Sequence, residues 1–570
     1  MSIQLGEQNK PPVSLKKRLG AAIISIIVLA LISTQVYTQL LNPESIEELS
    51  RGVCEQGKVL RPSSYLKDKT HLEYIVKDKA FREESIKKVI GAVRIPTVTY
   101  DYYEDPLVNP QQWNNFTRFH AFLEAQFPTV YQNLKVSRLN GFGLVFEWEG
   151  SNSKLKPILL AAHQDVVPVE QETISKWKYP PFEGVSDGKY IWGRGSSDTK
   201  TLLISTLQSV ERLIHDGFNP RRTIVLGYGF DEEIGGKWGA FKINEYLINK
   251  YGKDSFFSLI DEGGNGVSFI DDVAFGVPAI AEKGPMNVNI ALTTPGGHSS
   301  VPPDHTNIGI LSQLVNEIES TPFDPSLSGN NPFLNFIQCV AKYTDEYDKD
   351  LKKNILKAAY DKVANSKVIK FLHGIKKFRY SIQTSQAIDI VHGGVKANAL
   401  PEYSTLVINH RISVDSSIDE AINKIIGNVV KVAKKFDLGV YQNEVEVLPK
   451  TENGYFELKY LGLAPSPVSP LDTKSWEVLS GSIRHILDDY VFPNASAPSV
   501  VAGGLDNANT DTSKYWDLTK NIYRFKFNTL SNIEDVGTHS VNEHILIDDH
   551  IHLIAFNYEF ILNADEADDE

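Results

Sequence analysis

Residues 157–165 read PILLAAHQD, an apolar run that ends in a histidine and an aspartate two positions apart. A run of this length, opened by a proline and free of charge, predicts a strand buried on both faces. A core has no use for an imidazole and a carboxylate at its edge, so His163 and Asp165 must be solvated, paired or bound to something. Two further runs end in the same way: RTIVLGYGFDEE closes on Asp231, Glu232 and Glu233, and FSLIDEGG closes on Asp261 and Glu262. Between them WGRGSSDTK sets Asp198 in a glycine-rich turn before the helix-like TKTLLISTLQSVERLIHDG.

Strands alternating with helices predict an α/β domain on a mixed, largely parallel sheet with helices on both faces. In such sheets the ligand crevice lies at the carboxyl ends of the strands, so these acids and His163 should converge. Any one of them alone has a plain explanation. An aspartate before a helix is usually a cap, and paired glutamates are usually a solvated strand end. Together they suit a metal bound by imidazole and carboxylate, and four or five such ligands exceed what one ion with an open position needs. A two-metal site sharing a carboxylate fits better.

From residue 284 the pattern changes to MNVNIALTTPG, STLVINHRISVD and YQNEVEVLP, interleaved with the helical SIDEAINKIIGNVVKVAKKF. This predicts an inserted α+β lid or dimerisation domain over 284–452, between catalytic segments 76–283 and 453–570. Residues 320–385 are lysine-rich and helical in character.

The net charge of −13 argues against nucleic acid as a partner. Residues 19–41, LGAAIISIIVLALISTQVYTQLL, follow Lys16, Lys17 and Arg18 and precede Glu44, Glu47 and Glu48. The run is long enough to span a bilayer, and its flanks predict a transmembrane signal anchor with residues 1–18 cytosolic and the bulk lumenal. A cleaved signal peptide is the competing reading. Residues 42–75 read as a polar stem. The sequons at Asn115 and Asn494 are candidate glycosylation sites on the lumenal side. Cys54 and Cys339 are the only cysteines, too few for a disulfide framework or a thiolate metal site.

Eight motifs in order, AAHQDVVPV, WGRGSSDTK, DEEIGG, DEGG, GGHSSVPPDHTNIG, GGVKANALPE, NTDTSKYW and GTHSVNEHI, resemble those of the aminoacylase and carboxypeptidase family of co-catalytic zinc hydrolases. The likeness covers about residues 75–560 and extends to vacuolar fungal members, anchor included. It implies two Zn²⁺ per subunit, Co²⁺ or Mn²⁺ being possible. Asp198 would bridge them, with His163 and Asp261 completing one site and Glu233 and His539 the other. Asp165 would orient His163, Glu232 would be the general base, and His298 would stabilise the oxyanion, often from the partner subunit of a homodimer. Asn398, Arg411, Gly503 and Gly504 would hold the substrate carboxylate. The implied substrate is a short peptide cut at its C-terminal amide, with an N-acyl amino acid as the alternative, in a vacuole or lysosome-like lumen. A receptor on a decayed peptidase fold would have lost ligands, and all of these positions are filled.

Overall fold

The computed structural model describes residues 44–530 and 536–569, which divide into two compact units at Val53/Cys54. The proposed anchor over 19–41 lies outside the described residues. Among the described residues no helix is long and apolar enough to cross a membrane. In the N-terminal unit a short helix, Ile46–Leu49, starts from a capping box in which Ser45 and Glu48 satisfy each other's backbone amides.

The larger unit is built on an eight-stranded sheet. Its order is Lys135–Leu139, Gly143–Trp148, Ile224–Gly229, Ile158–His163, Ser258–Asp261, Ile522–Arg524, Ala279–Glu282 and Gly504–Asp506. The three central strands expected from the sequence are adjacent and parallel, with Ile158–His163 between the other two. Antiparallel pairs at Gly143–Trp148 and Ala279–Glu282 make the sheet mixed. Alternation along Ile158–His163 explains why no polar residue interrupts it. Ile158, Leu160 and Ala162 join one core beneath the helices Lys200–His215 and Ile547–Glu566, while Leu159 and Ala161 join another beneath Ala240–Tyr251. Both faces are covered, so the strand's only polar outlet is its carboxyl end.

The second sheet has six strands, ordered Ser385–Gly393, Tyr403–Ile412, Gly284–Thr293, Tyr455–Gly462, Gly439–Gln442 and Val445–Leu448. Its core includes Leu311, Leu314, Ile422, Ile425 and Val429 from the helices Asn307–Ser320 and Ile418–Lys435. The expected return to the first domain at residue 453 is corrected here. Tyr455–Gly462 pairs along its whole length with Gly284–Thr293, so the smaller sheet continues through Gly462.

The lysine-rich stretch forms the helices Pro332–Tyr343, Lys349–Lys357, Lys362–Gly374 and Lys376–Arg379. The first of these puts Cys339 and Val340 in a core with Phe275, Val277 and Val500.

One expectation about the segment before residue 76 changes. Residues 54–75 are not a polar stem, because Leu72 and Ile75 on the helix Thr70–Lys77 are buried in the main core. Gln56 is clasped by the backbone of Val501 through two reciprocal hydrogen bonds. Cys54 and Cys339 form a disulfide, which fixes the start of this unit to the helix Pro332–Tyr343. Two cysteines cannot build a framework, yet they make one cross-link between segments 285 residues apart.

The structure also separates the two sequons. Asn494 is exposed in a loop. Asn115 lies in the first turn of the helix Asn114–Gln126 and donates its amide to the Pro96 carbonyl at 2.8 Å, so the nitrogen a glycan needs is already engaged.

Candidate metal centre

The strand ends and two loops converge on one aspartate. Asp198 presents one carboxylate oxygen to His163 Nε2 and the other to His539 Nε2, each at 3.0 Å. Glu262 Oε1 lies 2.9 Å from His163 Nε2, and Glu233 Oε2 lies 3.1 Å from His539 Nε2. Two donor sets follow, His163–Asp198–Glu262 and Asp198–Glu233–His539, with Asp198 common to both; Glu232 joins His163 and Glu233 in a third grouping.

The strand-end acid that meets His163 is Glu262, the neighbour of the expected Asp261, and Asp261 is in neither donor set. Successive side chains at a strand end leave on opposite sides. Asp261 is the last residue of its strand, and its carboxylate accepts the Glu262 amide at 2.8 Å and is otherwise buried, with Oδ2 unpartnered among the described residues. Burial first, and then the Glu262 charge, push its pKa up to about 7.

Asp165 has the place its sequence position suggested. His163 Nδ1 lies 3.0 Å from the Asp165 carbonyl and 3.3 Å from its carboxylate. That carboxylate also accepts the backbone amides of Glu232 and Glu233, both at 3.1 Å, and the Thr99 hydroxyl at 2.9 Å. A single buried aspartate therefore sets both the imidazole ring and the turn that carries the paired glutamates.

A second carboxylate, Glu543, does the same for Asp198. One of its oxygens accepts the backbone amides of Gly195, Ser197 and Asp198 at 2.9–3.1 Å. The other pairs with the buried Arg194 guanidinium at 2.6 Å. Glu543 sits four residues after His539, so one loop supplies both an imidazole and the anchor of the aspartate it faces. Glu543 did not stand out in the sequence, although it lies inside a quoted motif, whereas Glu262 was one of the strand-end acids expected to converge here.

The electrostatics are those of a cation site. Burial opposes charge on His163, yet the Glu262 carboxylate and hydrogen bonds to Asp165, Asp198 and Glu262 hold its pKa well above the ordinary value. Hydrogen bonds to Asp198 and Glu233 push His539 up to about 10. Burial would raise Asp198, but hydrogen bonds from the two histidines hold it well below the usual carboxylate range. Burial and the Asp198 charge push Glu233 up to about 7, and Glu233 Oε1 is a buried acceptor without a partner among the described residues. Glu232 is also held well above the usual carboxylate range; burial is the main cause, with Glu233, Asp511 and Glu262 adding to it against His163. So many carboxylates around two imidazoles fit a pair of divalent cations.

The cluster opens into a cleft of about 520 Å³, lined by Asp198, Glu232, Glu233, Glu262, Arg411 and His539 among others. Arg411 Nη1 donates to Asn509 Oδ1, and Asn509 Nδ2 donates to the Lys283 carbonyl at 2.6 Å. Asn509 was not singled out in the sequence, although it opens the quoted NTDTSKYW.

Four of the expected site residues do not line this cleft. Gly503 and Gly504 are buried in and beside a strand, where their amides donate to Asn335 Oδ1 and to the Pro278 carbonyl. There is no space at either for a ligand, since a Cβ would meet Ile280 or Val277 at 2.7–2.8 Å. His298 and Asn398 are exposed on and beside a two-stranded ribbon, Gly297–His298 against Ala399–Leu400, and neither lines the cleft of its own chain.

Comparison with known proteins agrees with this geometry. The model for peptidase family M20/M25/M40 matches residues 159–563. The chain is 41% identical to carboxypeptidase S of Saccharomyces cerevisiae over 99% of its own length and 100% of the relative's. It is 29% identical to mouse N-fatty-acyl-amino acid synthase/hydrolase PM20D1, over 85% of this chain and 89% of that one. Among solved structures, human carnosine dipeptidase 1 superposes with a TM-score of 0.60 at 13% identity, covering 89% of this chain and 100% of the other.

The buried Arg194–Glu543 pair yields a stability prediction. Glu543→Ala leaves a buried guanidinium and three backbone amides without their acceptor, which should cost about 3–5 kcal/mol in denaturant unfolding. A loss below about 1 kcal/mol would show that the loop around Asp198 holds itself.

Proposed function

The chain belongs to peptidase family M20/M25/M40 and is a carboxypeptidase S-like metallopeptidase, and from that premise we propose that it removes the C-terminal residue of short peptides by hydrolysing the last amide bond. The observation that carries the reading is the Asp198 carboxylate shared between His163 and His539, beside a cleft that also exposes Arg411. His163, Asp198 and Glu262 would hold one divalent ion and Asp198, Glu233 and His539 the other, with zinc the proposed metal. When bound, the pair supplies Lewis-acid polarisation of the amide carbonyl and an acidified water.

The chain's own residues supply the rest. Glu232 is fixed by its backbone bond to Asp165, and its side chain lines the cleft. We assign it the proton taken from the attacking water and then delivered to the leaving amine. Burial keeps its basicity high enough for both steps. Arg411, steered by Asn509, offers a planar pair of donors to the free carboxylate of the leaving residue. The exposed His298 and Asn398 suit contacts made across a homodimer, where they would enter the partner's cleft.

We further propose a lumenal protein held by an anchor over residues 19–41, in a vacuole or lysosome-like compartment. The Cys54–Cys339 disulfide supports an oxidising route, and the exposed Asn494 sequon suits glycosylation on the same side of the membrane.

Glu232→Gln should retain its metal while losing ~10²–10⁴-fold in kcat. Near wild-type turnover would remove Glu232 from the proton path. The carboxylate assignment is tested by a two-by-two cycle of kcat/KM, crossing Arg411→Lys with amidation of the substrate's C-terminus. Amidation should hurt the wild type more than the variant, with a coupling of at least ~1 kcal/mol, because lysine lacks the planar fork. Additive effects would make Arg411 structural.

A further inference from the structure

A lysine stands among the carboxylates of the cleft, at a position outside every motif quoted from the sequence. Lys526 lies two residues beyond the strand Ile522–Arg524, which runs parallel to Ser258–Asp261 with Arg524 opposite Asp261. The Phe525 amide extends that pairing by donating to the Asp261 carbonyl at 2.9 Å. Phe525 and Phe527, on either side of the lysine, are buried in the main core, whereas Lys526 lines the cleft with Glu262.

The ammonium is held from two directions. Nζ donates to the Ser197 carbonyl at 2.7 Å and lies 3.6 Å from Glu262 Oε2, within ion-pair range. Ser197 immediately precedes Asp198, and its own amide is held by Glu543 at 2.9 Å. The lysine is therefore seated on the loop that carries the shared aspartate. Glu262 is divided between two partners: Oε1 faces His163 Nε2 at 2.9 Å, and Oε2 faces Lys526. Side-chain exposure is 16% for Lys526 and 9% for Glu262, so water screens the pair little.

A fixed cation beside a site for divalent cations repels what the site is built to hold. Its place there needs a reason. A carboxylate can give an ion one oxygen or both, and a catalytic metal centre must keep a position open for water or substrate. An oxygen engaged by an ammonium is not free to act as a second donor.

We propose that Lys526 is a positioning residue that reserves Glu262 Oε2, so that Glu262 serves its ion through Oε1 alone and a position stays open beside it. The inference rests on the two-metal reading above and assigns a residue to it. Lys526 acts through Glu262 and does not touch the substrate.

The test loads the purified full chain with Co²⁺, whose visible bands weaken as its coordination number rises, and records the spectrum without substrate. Lys526→Met should keep about two ions per chain, show weaker bands per ion than the wild type, and lose about 10–100-fold in kcat/KM, the range typical of a lost partner of a metal-binding carboxylate. Lys526→Arg, which keeps a charged donor, should restore the wild-type spectrum and most of the activity. An activity loss with an unchanged spectrum would make Lys526 a substrate contact and overturn the assignment, as would unchanged activity. Lys526→Gln keeps a donor for the Ser197 carbonyl and serves if the methionine variant does not fold; failure of both to fold makes the lysine a structural tie and overturns the assignment. A wild type that takes up no Co²⁺ overturns the metal reading and this assignment with it, whereas a two-ion wild type whose variants match it overturns this assignment alone.

Discussion

One carboxylate placed between two imidazoles is the constraint around which this molecule is arranged. Asp198 faces His163 with one oxygen and His539 with the other, and residues far apart in the chain are committed to keeping it there. Glu543 ties the loop before it through three amides, Arg194 neutralises Glu543, and Asp165 fixes both His163 and the Glu232–Glu233 turn. Each anchor is buried, so its hydrogen bonds meet little competition from water, and losing one partner strands another. The eight-stranded sheet supplies the rigid base: its central strand is covered on both faces and delivers His163 at its only polar end.

Much of this was legible because strands have a period of two and end in punctuation. Three apolar runs closing on acids or histidine had to converge at one edge of a parallel sheet, and they do. The same period bears on which of two adjacent acids meets His163. Asp261 and Glu262 are adjacent at a strand end, and a shift of one residue exchanges the side that faces the site. Composition does not fix that register. The resemblance assigned the glycine pair at 503–504 to the substrate carboxylate, but a Cβ at either would meet Ile280 or Val277. Asn509, the true neighbour of Arg411 in this loop, carries no signal beyond its motif.

Long-range contacts were illegible for a different reason. Nothing in the spacing of Cys54 and Cys339 shows that they meet, because the approach depends on how the helix Pro332–Tyr343 packs on the catalytic half. The lysine-rich stretch thus connects the beginning of the larger unit with the disulfide. The segment after residue 53 reads as polar because most of it is, yet Leu72 and Ile75, three apart, are buried in the core, with Leu60 and Tyr65 packed against it.

The central claim is a pair of metal sites sharing Asp198, with Glu262 rather than Asp261 closing the first. Metal content per chain after exhaustive dialysis, measured for the wild type, Asp198→Ala, Glu262→Ala and Asp261→Asn, addresses it most directly. The account predicts about two ions in the wild type, a loss of both in Asp198→Ala, about one retained in Glu262→Ala, and wild-type content in Asp261→Asn. Full occupancy in Asp198→Ala, or loss confined to Asp261→Asn, would contradict it.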